Sequence, residues 1–377
     1  MGCCCNGMGT RPPALPPAQS PVQLGTPADP VVTAPPAPVD PAPSTPPPPA
    51  QEQAEQGSGD VATRTYVNPV FGANAPDPTV TRGEDGMFYA YTTETGGLPF
   101  QVLRSPDLVS WDRVGAAFEG NGPAWIDRNR WAPDVRRTGD HFTMTYSGRG
   151  DDGRMRIGYA TSTTARGPFT DRGVLLEGDS SGYFIDPQLV QVGDQWKLYY
   201  GSTGGNDRKD QTGITGADVT IAADGSMSVG ASSKVVLPEG SSRNLVEGAW
   251  MHEKDGQYYL FYSDGRFDAA DGPDAYALQV ARSSSPDGPF EKLDHPVIAS
   301  GNGFGGPGHN SIITDDAGQD WVAYHAWGAD RSKGRMLLID KVDWVDGWPV
   351  VNGGSGPSHG AMRAPVITAR DGASALT

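Results

Sequence analysis

Short motifs carrying acidic or imidazole side chains recur at a regular interval along this 377-residue chain. They are Ala75-Pro76-Asp77-Pro78, Trp131-Ala132-Pro133-Asp134, Ile185-Asp186-Pro187-Gln188, Val246-Glu247-Gly248 and Gly308-His309-Asn310. From Asp77 through Asp134, Asp186 and Glu247 to His309 the spacings are 57, 52, 61 and 62 residues. Carboxylates brought together raise one another's pKa, so a convergent set is costly unless it serves proton or charge chemistry. Singly, each residue reads as ordinary structure. Asp-Pro opens turns, Glu247 suits a solvated strand end, His309 a core histidine bonded to backbone, and Trp131 a core aromatic. The common period makes the joint pattern hard to obtain as solvated surface.

The elements that would position these motifs repeat as well. Just downstream of each lies a polar turn followed by alternating aromatic residues, anchored at Phe88, Phe142, Trp196, Tyr258 and Trp321, 54, 54, 62 and 63 residues apart. Short aromatic runs bounded by Gly and Asp are strand signatures. Arg104-Ser105-Pro106-Asp107, Ala160-Thr161-Ser162 and Ala281-Arg282-Ser283 then predict a third strand turning into a fourth. No stretch of a dozen residues sustains a helical period. Five all-β units of about four strands each predict a five-bladed β-propeller. The motifs then fall on the innermost strands and converge on one end of the axis.

Composition sets the limits. Of 34 prolines, 16 lie in the first 50 residues, and the first aromatic is Tyr66. A segment without aromatics cannot bury enough apolar surface to offset its ordering entropy. Residues 1–65 therefore read as a disordered Pro/Ala-rich tail or linker, 66–368 as the propeller and 369–377 as a short C-terminal tail. Cysteine is confined to Cys3, Cys4 and Cys5, which excludes a cysteine nucleophile, a disulfide and a thiolate metal site from the propeller. These cysteines read either as the remnant of a leader or as a lipid anchor with the tail as spacer. A net charge of −16 argues against nucleic acid as a partner, and no apolar run is long enough to span a bilayer. A monomer, extracellular or anchored at a cell surface, is expected.

Taken in order, the five motifs resemble those of glycoside hydrolase family 43, five-bladed propellers that cleave arabinofuranosides and xylosides. The similarity runs from about Asn68 to Pro365 and includes Arg335-Met336-Leu337-Leu338, Trp344, Gly347, Trp348 and Pro349. The resemblance implies that Asp77 is the general base, Glu247 the general acid, and Asp186 the residue that orients and tunes the acid. It further implies that Trp131 and Arg335 line the sugar pocket. His309 would lie near the axis beside a calcium ion held through water. The implied activity is hydrolysis of α-L-arabinofuranosidic linkages in arabinan or arabinose-substituted polysaccharide. Pro76 stands where arabinan-acting relatives often carry His, which keeps β-xylosidase activity open; a non-catalytic carbohydrate-binding propeller is the alternative of another class. With Asp77 in blade one and Glu247 in blade four, the two should face each other at about 6.5–9.5 Å, the spacing of inverting glycosidases. Two polar segments, Gly204 to Gly216 and Arg266 to Asp274, read as insertions that either form a rim or are simply solvated loops.

Overall fold

The computed structural model describes residues 64–368 except 178–182, 204–211, 237–244, 270–271 and 273–274. The cysteines, residues 1–63 and residues 369–377 lie outside the described residues. Strand β1 (Thr65–Tyr66) opens the fold, one residue earlier than the aromatic boundary places it. Blade one is β2 (Thr79–Arg82), β3 (Phe88–Thr92), β4 (Gln101–Ser105) and β5 (Asp112–Ala116). Blade two is β6 (Arg128–Thr138), β7 (His141–Arg149), β8 (Met155–Ser162) and β9 (Thr170–Glu177). Blade three is β10 (Phe184–Val192), β11 (Gln195–Thr203), β12 (Thr212–Ile221) and β13 (Met227–Val236). Blade four is β14 (Leu245–Lys254), β15 (Gln257–Gly265), β16 (Ala277–Ser283) and β17 (Glu291–Lys292). Blade five is β18 (Gly305–Thr314), β19 (Asp320–Trp327), β20 (Arg335–Val345) and β21 (Trp348–Val351), followed by β22 (Met362–Arg363). Each blade is an antiparallel sheet in simple sequential order, the five-bladed propeller that the repeat predicts.

The second strands are buried along almost their whole length, as in β3, β7 and β19, because each blade buries both faces against neighbours. The described core divides into five clusters, one for each blade-to-blade interface. Tyr91, Phe100, Met144 and Tyr146 join blades one and two, whereas Trp250, Phe261, Tyr324 and Leu338 join blades four and five. Burying one such side chain contributes roughly 1.5–3 kcal/mol, so the aromatic anchors are what stack the blades. The ring closes between blades five and one through Val80, Phe88, Trp321 and Leu337. The chain ends reinforce this seam: β1 pairs with β22, and Asn68 exchanges hydrogen bonds with the backbone of Ile339 at 2.8 and 3.1 Å.

Side chains on the inner strands also lace neighbouring blades together. Thr79 donates to the Pro133 carbonyl at 2.6 Å, Asp134 accepts from the Leu189 amide at 3.0 Å, Gln188 bonds both ways with the Met251 backbone, and Ser311 accepts from the Val80 amide at 3.1 Å. Asp134 thus serves as a lace between blades two and three, and the spacing that equated it with Asp77 does not match the structural register. In the matching position of blade four stands Trp250, over which the Arg136 guanidinium of blade two lies at 4.1 Å. Blades two and four are not neighbours, so this contact crosses the axis.

Candidate active site

At or just before each inner strand, one equivalent position lies in the left-handed region: Asp77 (φ 54°), Ala132 (φ 44°), Asp186 (φ 54°), Gly248 (φ 64°) and His309 (φ 45°). These are the equivalent positions of the five blades, spaced 55, 54, 62 and 61 residues apart. In blades two to five, register shifts accompany them at Trp131/Asp134, Ile185/Gln188, Glu247/Trp250 and Gly308/Asn310. A β-bulge re-aims the side chain it carries. For a residue with a Cβ, the left-handed region costs about 1–2 kcal/mol, a strain that clusters at functional sites. Asp77, Asp186 and His309 therefore share one structural position. Glu247 stands one residue before it, opposite Ser263 in its own blade, and reaches the site from there.

A second ring of side chains holds these entry residues. The Ala132 amide donates to Thr93 Oγ1 at 2.9 Å, the Asp186 amide to Ser147 Oγ at 2.9 Å, and the His309 amide to Ser263 Oγ at 2.8 Å. The Asp77 amide donates to His325 Nδ1 at 3.1 Å. Every acceptor belongs to the preceding blade, near the end of or just beyond its second strand.

Asp77 is gripped on both carboxylate oxygens. Arg335 donates to Oδ1 at 2.7 Å and to Oδ2 at 3.4 Å, and Thr93 donates to Oδ2 at 2.6 Å. Burial alone would push this carboxyl up. Together the Arg335 guanidinium, followed by His309, His325 and the Thr93 hydroxyl, outweigh it, and Asp77 is held well below the usual carboxylate range. Both imidazoles are themselves pushed down by burial, His325 furthest, which leaves Arg335 as the fixed positive charge on Asp77. The His309 Nδ1 atom lies 3.7 Å from Asp77 Oδ1 and 3.6 Å from Asp186 Oδ2, so the ring stands between these two carboxylates.

Glu247 has the opposite character. Burial and the nearby negative charge of Asp77 push its carboxyl up to about 7, against the Tyr276 hydroxyl and Arg335, which favour the ionised form. Tyr276 donates to Glu247 Oε1 at 2.9 Å. Asp186 is also pushed well up, by burial and by the charges of Glu247 and Asp77, while the Gly248 amide opposes the rise through a 3.1 Å bond to its Oδ2. Two glycines make this crowding feasible. A Cβ on Gly248 would lie 3.2 Å from His309 Nδ1, and one on Gly308 would meet the Tyr276 ring at 2.3 Å.

A carboxyl held low beside one pushed up toward neutrality, in a single buried cluster, is the constellation of acid/base hydrolysis. The sequence of residues 66–349 matches the family model for glycosyl hydrolases family 43. The chain belongs to that family. The probable arabinan endo-1,5-alpha-L-arabinosidase C of Aspergillus flavus is 28% identical over 302 residues, covering 74% of this chain and 91% of the relative. The extracellular endo-alpha-(1->5)-L-arabinanase 2 of Bacillus subtilis is 24% identical, covering 73% of this chain and 69% of the relative. The crystal structure of a thermostable family-43 glycoside hydrolase superposes with a TM-score of 0.69 at 27% identity, covering 80% of this chain and all of that one.

Within this family-43 site, Arg335 touches the implied base directly, and its guanidinium also lies 5.5 Å from the ring of Phe267. Trp131 is half-buried and occupies in blade two the place that Glu247 holds in blade four. Thr93, His325 and Tyr276 were not singled out by the motifs. A signal for His325 is present: Ser147, Gly201, Ser263 and His325 each directly follow the aromatic run of their blade. Of the two segments read as insertions, residues 212–216 belong to β12, and residues 204–211 lie outside the described residues. In the other, Phe267 is an exposed aromatic whose carbonyl accepts from Trp327 Nε1 at 2.9 Å.

For a calcium ion at His309, the family-43 site supplies few direct ligands. Among the described residues no group of three or more His, Cys, Asp or Glu side chains is arranged to hold a metal ion. Beside His309, both side-chain polar atoms of Asn310 are buried without a hydrogen-bond partner, as is His325 Nε2. Orphaned buried polar atoms suit ordered water. The residues fit an ion held by one imidazole and a water shell, and they do not form the carboxylate cage of a typical calcium site.

Proposed function

We propose that this family-43 glycoside hydrolase cleaves α-L-arabinofuranosidic linkages in arabinan or arabinose-substituted polysaccharide, with inversion at the anomeric carbon. The observation that carries the reading is the contrast between Asp77, kept ionised by Arg335, and Glu247, kept protonated near neutral pH by burial. Asp77 takes a proton from water as its oxygen bonds to the anomeric carbon. The glycosidic C–O bond breaks, and Glu247 gives its proton to the leaving oxygen. Asp186 and Tyr276 orient Glu247, whereas Arg335, Thr93 and His325 fix the base. Inversion requires base and acid on opposite sides of the sugar with room for the attacking water, and Asp77 in blade one and Glu247 in blade four come from blades that are not neighbours.

The arabinan assignment is supported by the arabinanase relatives and by Phe267, an exposed ring beside Arg335 suited to stacking on a sugar. A groove of about 790 Å³ has Trp125 and Arg130, the residue before Trp131, in its wall and is large enough to take sugar units of a longer chain. Calcium is proposed at His309 through water, where its charge would hold the adjacent carboxylates ionised. An extracellular location is supported by the Bacillus subtilis relative. No described helix is long and apolar enough to cross a membrane.

The test is a screen on chromogenic α-L-arabinofuranoside, β-D-xyloside and β-D-galactofuranoside, followed by linear arabinan. Release of arabinose or arabino-oligosaccharides in preference to xylose supports the reading; faster turnover of the xyloside overturns the substrate assignment.

A further inference from the structure

Blade three breaks the ring of acceptors. The position occupied by Thr93, Ser147, Ser263 and His325 in the other blades is Gly201 in this one, at intervals of 54, 54, 62 and 62 residues. The register confirms the equivalence. Ser147 lies opposite Trp131, Gly201 opposite Ile185, Ser263 opposite Glu247 and His325 opposite Gly308, in each case the residue just before the left-handed one. With no side chain at Gly201, the amide of Gly248 in the next blade lacks the partner that its four counterparts have. It donates instead to Asp186 Oδ2 at 3.1 Å.

We propose that Gly201 is a positioning residue for the acid: its missing side chain makes Asp186 the acceptor of the Gly248 amide, which ties Asp186 to the residue after Glu247. The proposal rests on the reading of Glu247 as the acid, and it adds the reason why one blade lacks an acceptor. A buried amide needs a partner. Were a hydroxyl present, as in blades two and four, it would satisfy Gly248 and leave Asp186 free to turn. The space agrees. A Cβ on Gly201 would stand 3.1 Å from Ile185 Cγ1 and 3.7 Å from Glu247 Cβ, so a small side chain enters with a slight shift of Ile185 and lies beside the acid. A serine there would then compete with Asp186 at the point where the acid is held.

Three variants of the full chain test this. Gly201→Ser should lower kcat on linear arabinan by at least about tenfold, because general acid catalysis contributes about 10²–10⁴-fold. On an aryl arabinofuranoside with a good leaving group it should lose much less, and KM should not change. Gly201→Ala adds volume without an acceptor and should stay close to wild type on both substrates. Independently of activity, amide hydrogen exchange read by NMR should show Gly248 protected in the wild type and exposed in Asp186→Ala, with Ala132 and His309 unaffected. Adding Gly201→Ser to Asp186→Ala should restore protection of Gly248. The proposal is overturned if Gly248 exchange ignores Asp186, if Gly201→Ala loses as much as Gly201→Ser, or if both substrates suffer equally. If Gly201→Ser does not fold, the Asp186→Ala exchange and the Gly201→Ala rates still decide. A wild type inactive on every glycoside would count against the proposed function, while the exchange data would still judge the geometry.

Discussion

The rings of Tyr276 and His325 stack within 2° of parallel, 5.9 Å between centroids. Tyr276 holds Glu247, the proposed acid, through its hydroxyl, and His325 holds the amide of Asp77, the proposed base, through Nδ1. Base and acid are thus linked by a packed pair of rings from blades four and five, in addition to the strands that carry them. A shift of either ring would be felt at both carboxyl groups.

Arg335→Met should raise the pKa of Asp77, because burial then acts without its main counterweight. The acid limb of the kcat/KM profile should move to higher pH, with activity at pH 5 reduced by at least about tenfold. Arg335→Lys should recover part of it. Stability follows the same sign. A depressed carboxyl stabilises the fold above its unfolded pKa and loses that contribution as pH falls, so the variant should also lose the corresponding acid sensitivity of its melting temperature.

Tyr276→Phe keeps the ring but removes a hydroxyl that favours ionised Glu247. The basic limb of kcat, expected near pH 7 in the wild type, should move upward. Glu247→Gln should flatten the stability profile between about pH 4.5 and 7. A raised carboxyl binds its proton more tightly in the folded chain, and its contribution is lost as pH rises through the folded value. Thermal melts across that range check the second outcome, and pH–rate profiles the first.

Proton NMR of the first-formed sugar should show inverted configuration. Asp77→Ala should lose activity on every substrate. Glu247→Ala should suffer least where the leaving group needs no protonation, and a product with retained configuration would remove Asp77 from the role of base.

Exhaustive chelation should lower both activity and melting temperature if a hydrated calcium ion sits at His309. Elemental analysis before and after treatment checks for the metal. Unchanged activity and melting, with no metal found, would exclude it.

The propeller was legible because aromatic anchors and turn residues repeat at the blade period, and a blade cannot bury its faces without neighbours. Asp77, Asp186 and His309 were legible as well, since they occupy one position in three blades. Glu247 and Asp134 were aligned with them only approximately. Spacing cannot distinguish a bulge residue from its neighbour, and the left-handed backbone that does so is visible only in the fold. His325 and Thr93 escaped because their role is to accept a main-chain hydrogen bond from another blade; the place of His325 after its aromatic run records its position but not that role. Tyr276 lies outside the repeating strand, and its relation to Glu247 depends on the absent side chain of Gly308.

Arg136 over Trp250 has a consequence for traffic. Both side chains leave the inner strands beyond the entry residues, Trp250 two positions past Gly248, or roughly 7 Å deeper along the axis at the usual strand rise. A sugar released at Asp77 therefore finds side chains across the way forward. Under the proposed function, product and incoming substrate would share the mouth side of the channel, and free product would compete with substrate there.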